Sequence, residues 1–180
     1  MSKDDDLKKI GESAYSAIVD MIAALKCDYD RLKELQEEQR DLQSALEEAE
    51  GEEDEEEITR AQEALNLWLE EFKEELDELE EAAQDCESGD DAMDAIMNDA
   101  LSIEVRSSWE SVGEDLTPTE FKILLTTGGP AVQIRGELDE RGEPSRAWLE
   151  VQDWGTPWTQ YFGADQDTLL EYACCFTYGV

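Results

Sequence analysis

The sequence predicts an α+β protein. An acidic antiparallel helical hairpin, coiled-coil-like, is expected over residues 1–86, a connecting short helix over 87–101, and a small antiparallel β-sheet domain with a C-terminal helix over 102–180. Three observations lead to this reading. Apolar residues recur at heptad spacing through the first half, and after Leu101 the period changes to short β-branched and aromatic runs. Charge divides at the same place: of a net −35, about −26 lies in residues 1–100 and about −9 in 101–180.

In chain order, Leu7, Ala14, Met21, Leu35, Leu42 and Ala49 occupy one seam position of a heptad, and Ile18, Leu25, Leu32 and Leu46 the other. Asp28 and Gln39 fall on that seam, so a bend or a change of helix is expected near Cys27-Asp28-Tyr29-Asp30. Residues 50–57, with one glycine and no apolar side chain, read as a solvated turn. A second frame then runs through Ile58, Leu65, Phe72 and Leu79, alternating with Leu69, Leu76 and Ala83. Two amphipathic helices joined by a polar link make an antiparallel hairpin that pairs residues 35–49 with 58–72.

Asp90 or Asp91 is placed to cap a short helix carrying Ala92, Met93, Ile96 and Leu101. Strands are predicted at residues 102–109, 120–127, 131–138 and 146–152, split by Gly128-Gly129-Pro130 and by the polar run 139–144. Such turns suit an antiparallel meander. Residues 165–176, with Leu169, Leu170 and Tyr172, read as the closing helix.

A net charge of this size disfavours binding to nucleic acid or an anionic membrane and favours a basic partner. The chain has no histidine, so it lacks the usual neutral-pH general base and the commonest metal ligand. No catalytic residue, metal site or cofactor is predicted, and the chain is read as a non-enzyme. The four cysteines form no C-x-x-C pair; Cys174 and Cys175 are read as buried, inert thiols in an apolar stretch. No stretch approaches the ~18 apolar residues of a membrane span, and a reducing cytosolic setting is expected.

The densest feature is residues 70–81, where Glu70, Glu71, Glu74, Glu75, Asp77, Glu78, Glu80 and Glu81 surround one lysine, Lys73. On a helix this is a carboxylate every ~2.3 Å of axis, against one phosphate charge per ~1.7 Å of duplex DNA. Glu52, Glu53, Asp54, Glu55, Glu56 and Glu57 extend the charge at the hairpin tip. One reading makes these the solvated faces of a helix pair. The other makes them a display for a basic partner, because like charges at Glu70/Glu74, Glu71/Glu75 and Glu74/Glu78 forgo the i,i+4 pairs that a generic helix surface gathers. Glu75-x-x-Glu78 and Asp91-x-x-Asp94 also have the spacing with which helical nucleotide pyrophosphatases hold magnesium, but cations to hold a nucleotide's phosphates are missing nearby. A second run, residues 148–162, packs Trp148, Trp154, Trp158, Tyr161 and Phe162 into fifteen residues, which reads either as core and loop anchoring or as a contact patch with Trp154 and Trp158 at its centre.

Residues 126–138 (TTGGPAVQIRGEL) and 146–159 (RAWLEVQDWGTPWT) resemble a family of uncharacterised acidic proteins of bacteriophages and plasmids, with a looser likeness at residues 27–32. The resemblance covers roughly residue 101 to the end. It implies a mobile-element protein in a bacterial host cytoplasm, where acidic proteins act as anti-CRISPR or anti-restriction DNA mimics. The expected partner is then a basic, nucleic-acid-binding defence complex of the host, met through the carboxylates above. The alternatives are a coiled-coil adaptor, including a homodimer through the hairpin, and the magnesium-dependent pyrophosphatase.

Overall fold

The computed structural model describes residues 3–114 and 116–179. In order these form α1 (Lys3–Lys26), α2 (Tyr29–Glu52), α3 (Glu55–Ala83), α4 (Gly89–Asp99), β1 (Ser102–Ser107), β2 (Pro118–Thr126), β3 (Ala131–Leu138), β4 (Pro144–Gln152), β5 (Thr159–Tyr161) and α5 (Gln166–Cys174). The fold is α+β, with one antiparallel sheet in the order β1-β2-β3-β4-β5. Two compact units result: Ala23–Gly89, and the described residues up to Ile22 together with those from Asp90 onward.

The first unit is the hairpin of α2 against α3. The expected change of helix falls at Cys27 and Asp28, where the Asp28 side chain caps α2 by accepting from the Arg31 N–H at 3.0 Å. Leu32 and Leu35 of α2 pack with Trp68, Leu76 and Ala83 of α3, and Leu42, Leu69, Phe72 and Leu79 lie against them. Leu32, Leu35, Leu42, Leu69, Phe72, Leu76, Leu79 and Ala83 of the predicted seams thus meet here, joined by Trp68, whose indole N–H donates to Glu38 at 2.9 Å; the seam positions before residue 23 do not take part. At the open end Arg31 grips Glu75 through two bonds, Nε to Oε1 at 2.8 Å and Nη2 to Oε2 at 3.1 Å, with its guanidinium over the Phe72 ring.

The solvated turn predicted at 50–57 is much shorter. Only Glu53 and Asp54 lie outside the helices. Glutamate is a good helix former, so a run of it does not end a helix; the end is set by Asp54, whose carboxylate accepts from the N–H groups of Glu56 and Glu57. The left-handed residue is Glu53, at φ 59°, while Gly51 sits inside α2 with no atom near where a Cβ would stand. The two residues are in each other's conformational niche. Gly51→Ala combined with Glu53→Gly is therefore expected to stabilise the hairpin by about 1–2 kcal/mol, read as a shift of its urea midpoint. An unchanged or lower midpoint would contradict this turn.

In the second unit, rows of side chains run straight across the sheet. Ile103, Ile123, Ile134, Leu149 and Tyr161 form one, and Val105, Phe121, Gly136 and Ala147 another. Gly136 is obligatory, since a Cβ there would lie within 2.3 Å of the Phe121 ring and 2.2 Å of the Arg146 carbonyl. Ile18, Ile96, Leu169 and Tyr172 are fully buried in this unit. The other sheet face is polar: Lys122 bridges Glu104, Glu120 bridges Arg106 and Arg135, and Arg135 lies over Trp148.

Several expectations need correction. Residues 3–22, expected in the hairpin, belong to the sheet unit: the Tyr161 ring lies where a Cβ on Gly11 would stand, and Tyr15 reaches Thr168 at 3.5 Å. Heptad spacing identifies an apolar face without identifying what covers it. The first strand stops at Ser107, β2 and β4 each begin two residues earlier than predicted, and β5 was missed; three residues are too few for alternation to register. Cys174 is exposed and Cys175 half-buried, because the buried face of α5 runs through Leu169, Tyr172, Ala173 and Phe176 at helical spacing. Desolvation, then neighbouring carboxylates and thiols, still pushes both thiols up.

Burial, reinforced for Tyr172 by a 2.6 Å hydrogen bond to Asp99, raises the phenols of Tyr172 and Tyr178 well above the ordinary tyrosine range. A raised folded-state value means that the unfolded chain loses these protons first. Stability is then fully present below about pH 10 and falls as pH rises beyond it. Two of the five tyrosines are expected to ionise only as the sheet unit unfolds, seen as a delayed step in an ultraviolet titration.

Candidate functional site

The residues singled out in the sequence fall on both units. On α3 the seam is marked by buried Leu65, Trp68, Leu76 and Ala83. At 3.6 residues per turn the opposite face carries Glu63, Leu67, Glu70, Glu74, Glu78 and Glu81, spaced three or four apart. All six are exposed, and none of the carboxylates among them forms an ion pair among the described residues. Glu63 and Leu67 were not foreseen, although their spacing to Glu70 was available as a signal.

The predicted cluster is not uniform. Glu75 is turned toward α2 and held by Arg31, which lowers its carboxyl below the usual range. Asp77 is engaged by Lys73 at 2.9 Å, and Glu80 accepts from the Gln36 amide at 3.0 Å. Discounting the two ion-paired residues leaves Glu70, Glu71, Glu74, Glu78, Glu80 and Glu81 along twelve positions, or one charge per ~3 Å of axis. That is nearer to the 3.4 Å charge spacing of one DNA strand than to the ~1.7 Å of a duplex.

At the tip, Glu52 ends α2, Glu53 and Asp54 make the turn, and Glu55, Glu56 and Glu57 form the first turn of α3. All six are exposed. The last three have a structural reason, since carboxylates stabilise a helix N-terminus, and Glu56 also pairs with Arg60 at 3.4 Å. The C-termini differ. Neither α2 nor α3 has a basic residue in its last turn, and carboxylates stand there against the macrodipole.

On the sheet unit, Asp153 to Thr156 form a tight turn in which the Thr156 hydroxyl accepts from the Asp153 N–H and donates to its carbonyl, both at 2.9 Å. This turn holds Trp154 over the Gly129 backbone, where a Cβ would meet the indole at 2.1 Å, yet Trp154 remains 75% exposed. Trp158 stands on the polar sheet face between two shallow clefts of about 320 and 420 Å³. Phe162 is also exposed, so this aromatic run is surface more than core.

Among the described residues no group of three or more Asp, Glu or Cys side chains is placed to hold a metal ion. Glu75 and Glu78 do not converge, one facing Arg31 and the other solvent. Among the described residues no helix is long and apolar enough to cross a membrane. No protein-family description, curated protein or solved structure matches the chain.

Proposed function

We propose that this chain is an anti-defence protein of a mobile element: it presents nucleic-acid-like charge to the basic channel of a host CRISPR effector or restriction nuclease and inhibits it. The observation that carries the reading is the outer face of α3, where exposed carboxylates recur at helical spacing without cations. The fold does not call for them. They repel one another along the helix, and those in the C-terminal turns oppose the dipole. A basic groove supplies the compensation that the chain lacks.

The adaptor alternative draws less support. The apolar seam is used between α2 and α3, and Leu67 is the one large apolar side chain exposed among the described hairpin residues. A homodimer through this unit has no seam left to bury. The test is a panel of purified bacterial restriction and CRISPR nucleases, each assayed for DNA cleavage with and without the chain across a salt series. Inhibition that weakens steeply with salt and is relieved by excess DNA supports mimicry. Inhibition indifferent to salt, or none across the panel, removes it.

A further inference from the structure

The sheet has two edges, and they are not equivalent. β5 offers three residues, whereas β1 offers six, Ser102–Ser107, paired to β2 on one side only. A free edge leaves backbone N–H and C=O groups ready for another strand, and proteins commonly block it with proline, lysine or a mid-strand bulge. β1 has neither proline nor lysine, and its one irregularity comes at the last step, between Arg106 and Ser107.

Ile103 and Val105 share rows with Ile123 and Phe121, so they belong to the apolar face of the sheet. Ile123 and Phe121 are 0% and 2% exposed, but Ile103 and Val105 are 37% and 46% exposed. The apolar layer continues onto β1 without cover. On the opposite face Glu104 pairs with Lys122, and Arg106 with Glu120.

The sequence of the strand selects what fits there. If a second copy continues the sheet antiparallel about a two-fold axis normal to it, opposed residues must share a face. The pairing then centres on a residue, not between two. Centring on Glu104 or Arg106 sets like charges against each other, and centring on Ile103 leaves half of the strand unpaired. Centring on Val105 opposes Val105 to its own copy, Glu104 to Arg106 twice, and Ile103 to Ser107 twice. Across the joint the charges then alternate as Lys122, Glu104, Arg106 and Glu120. β1 is itself neutral, and residues 101–180 carry only about −9 of the net −35, so repulsion is least in this part of the chain.

We propose that β1 is a homodimer edge: a second copy of this chain adds its β1 antiparallel, centred on Val105, to make one continuous sheet. This goes beyond the charge reading and does not depend on it, since none of the residues paired across the joint belongs to the hairpin.

Sedimentation equilibrium on the full chain over a concentration series tests the proposal. The expected limiting mass is twice the 20.4 kDa of the chain. Glu104→Arg and Arg106→Glu each oppose like charges twice, and each is expected to raise the dimer Kd by about tenfold or more. An equimolar mixture of the two variants opposes unlike charges again, so dimer should return in the mixture alone. Val105→Lys, with the fold checked by circular dichroism, provides a second route to the monomer. A wild-type chain that stays at 20.4 kDa overturns the proposal. So does a dimer that survives all three substitutions, or a mixture no more associated than its components.

Discussion

Joint replacement of Glu70, Glu74, Glu78 and Glu81 by glutamine is expected to weaken binding to the inhibited nuclease by about tenfold or more, while each single change has a small effect. An exposed carboxylate facing a wet basic groove contributes about 0.2–1 kcal/mol, so four together come to about 0.8–4 kcal/mol, which brackets the ~1.4 kcal/mol of one decade. Glutamine keeps side-chain length and nearly the same helix propensity, so a loss reports charge. Glu75 is left out deliberately. Its removal would release Arg31 from α3, leaving it on Glu34 of its own helix, and would confuse stability with binding. The measurement is affinity by titration calorimetry at several salt concentrations. If the fourfold variant binds and inhibits like wild type at every salt, the α3 face is not the contact, and Trp154 becomes the residue to change.

Tyr172→Ala is expected to cost the sheet unit about 3–5 kcal/mol, the range for removing a fully buried aromatic side chain. Tyr172 is 0% exposed, its ring meets Phe176 at 5.4 Å, and its hydroxyl donates to Asp99 of α4 at 2.6 Å. Tyr172→Phe removes only that hydrogen bond and should cost about 1–2 kcal/mol. Urea unfolding followed by tryptophan fluorescence separates the two, because four of the five tryptophans lie outside the hairpin. Equal losses would mean that the polar bond, and not the packing, holds α5. A loss near the total stability of a small domain, about 5–15 kcal/mol, would make the delayed tyrosine ionisation unobservable in the alanine variant.

The legible parts of the molecule were those written in periodicity. The two seams of the hairpin, the order of the sheet and the bounds of β3 follow from spacings of three, four or two, because those spacings are the geometry of helix and strand. The turn expected at 50–57 shrinks to two residues because composition is not conformation: acidic residues are hydrophilic, yet glutamate propagates a helix. Cys174 departs from its expected burial, and the open choice between core and surface for Trp154 resolves to surface, for a related reason. Residue type gives a tendency to be buried, whereas Cys174 is outside because of the angle at which it leaves α5, and Trp154 because its turn lays it over Gly129.

The candidate site divides along the same line. The abundance of carboxylates and their stacking on one face of a helix were fixed by the chain, since charge and period are local properties. The tertiary structure decided which of them remain uncompensated. Arg31 lies 44 positions from Glu75, and only the antiparallel pairing of α2 with α3 brings it there, withdrawing one carboxylate and leaving Glu70, Glu74, Glu78 and Glu81 to solvent. It also decided that residues 3–22 of α1 join the sheet unit. An apolar stripe states that something must cover it; the covering surface is chosen by long-range fit, here Gly11 against Tyr161, which no local pattern encodes.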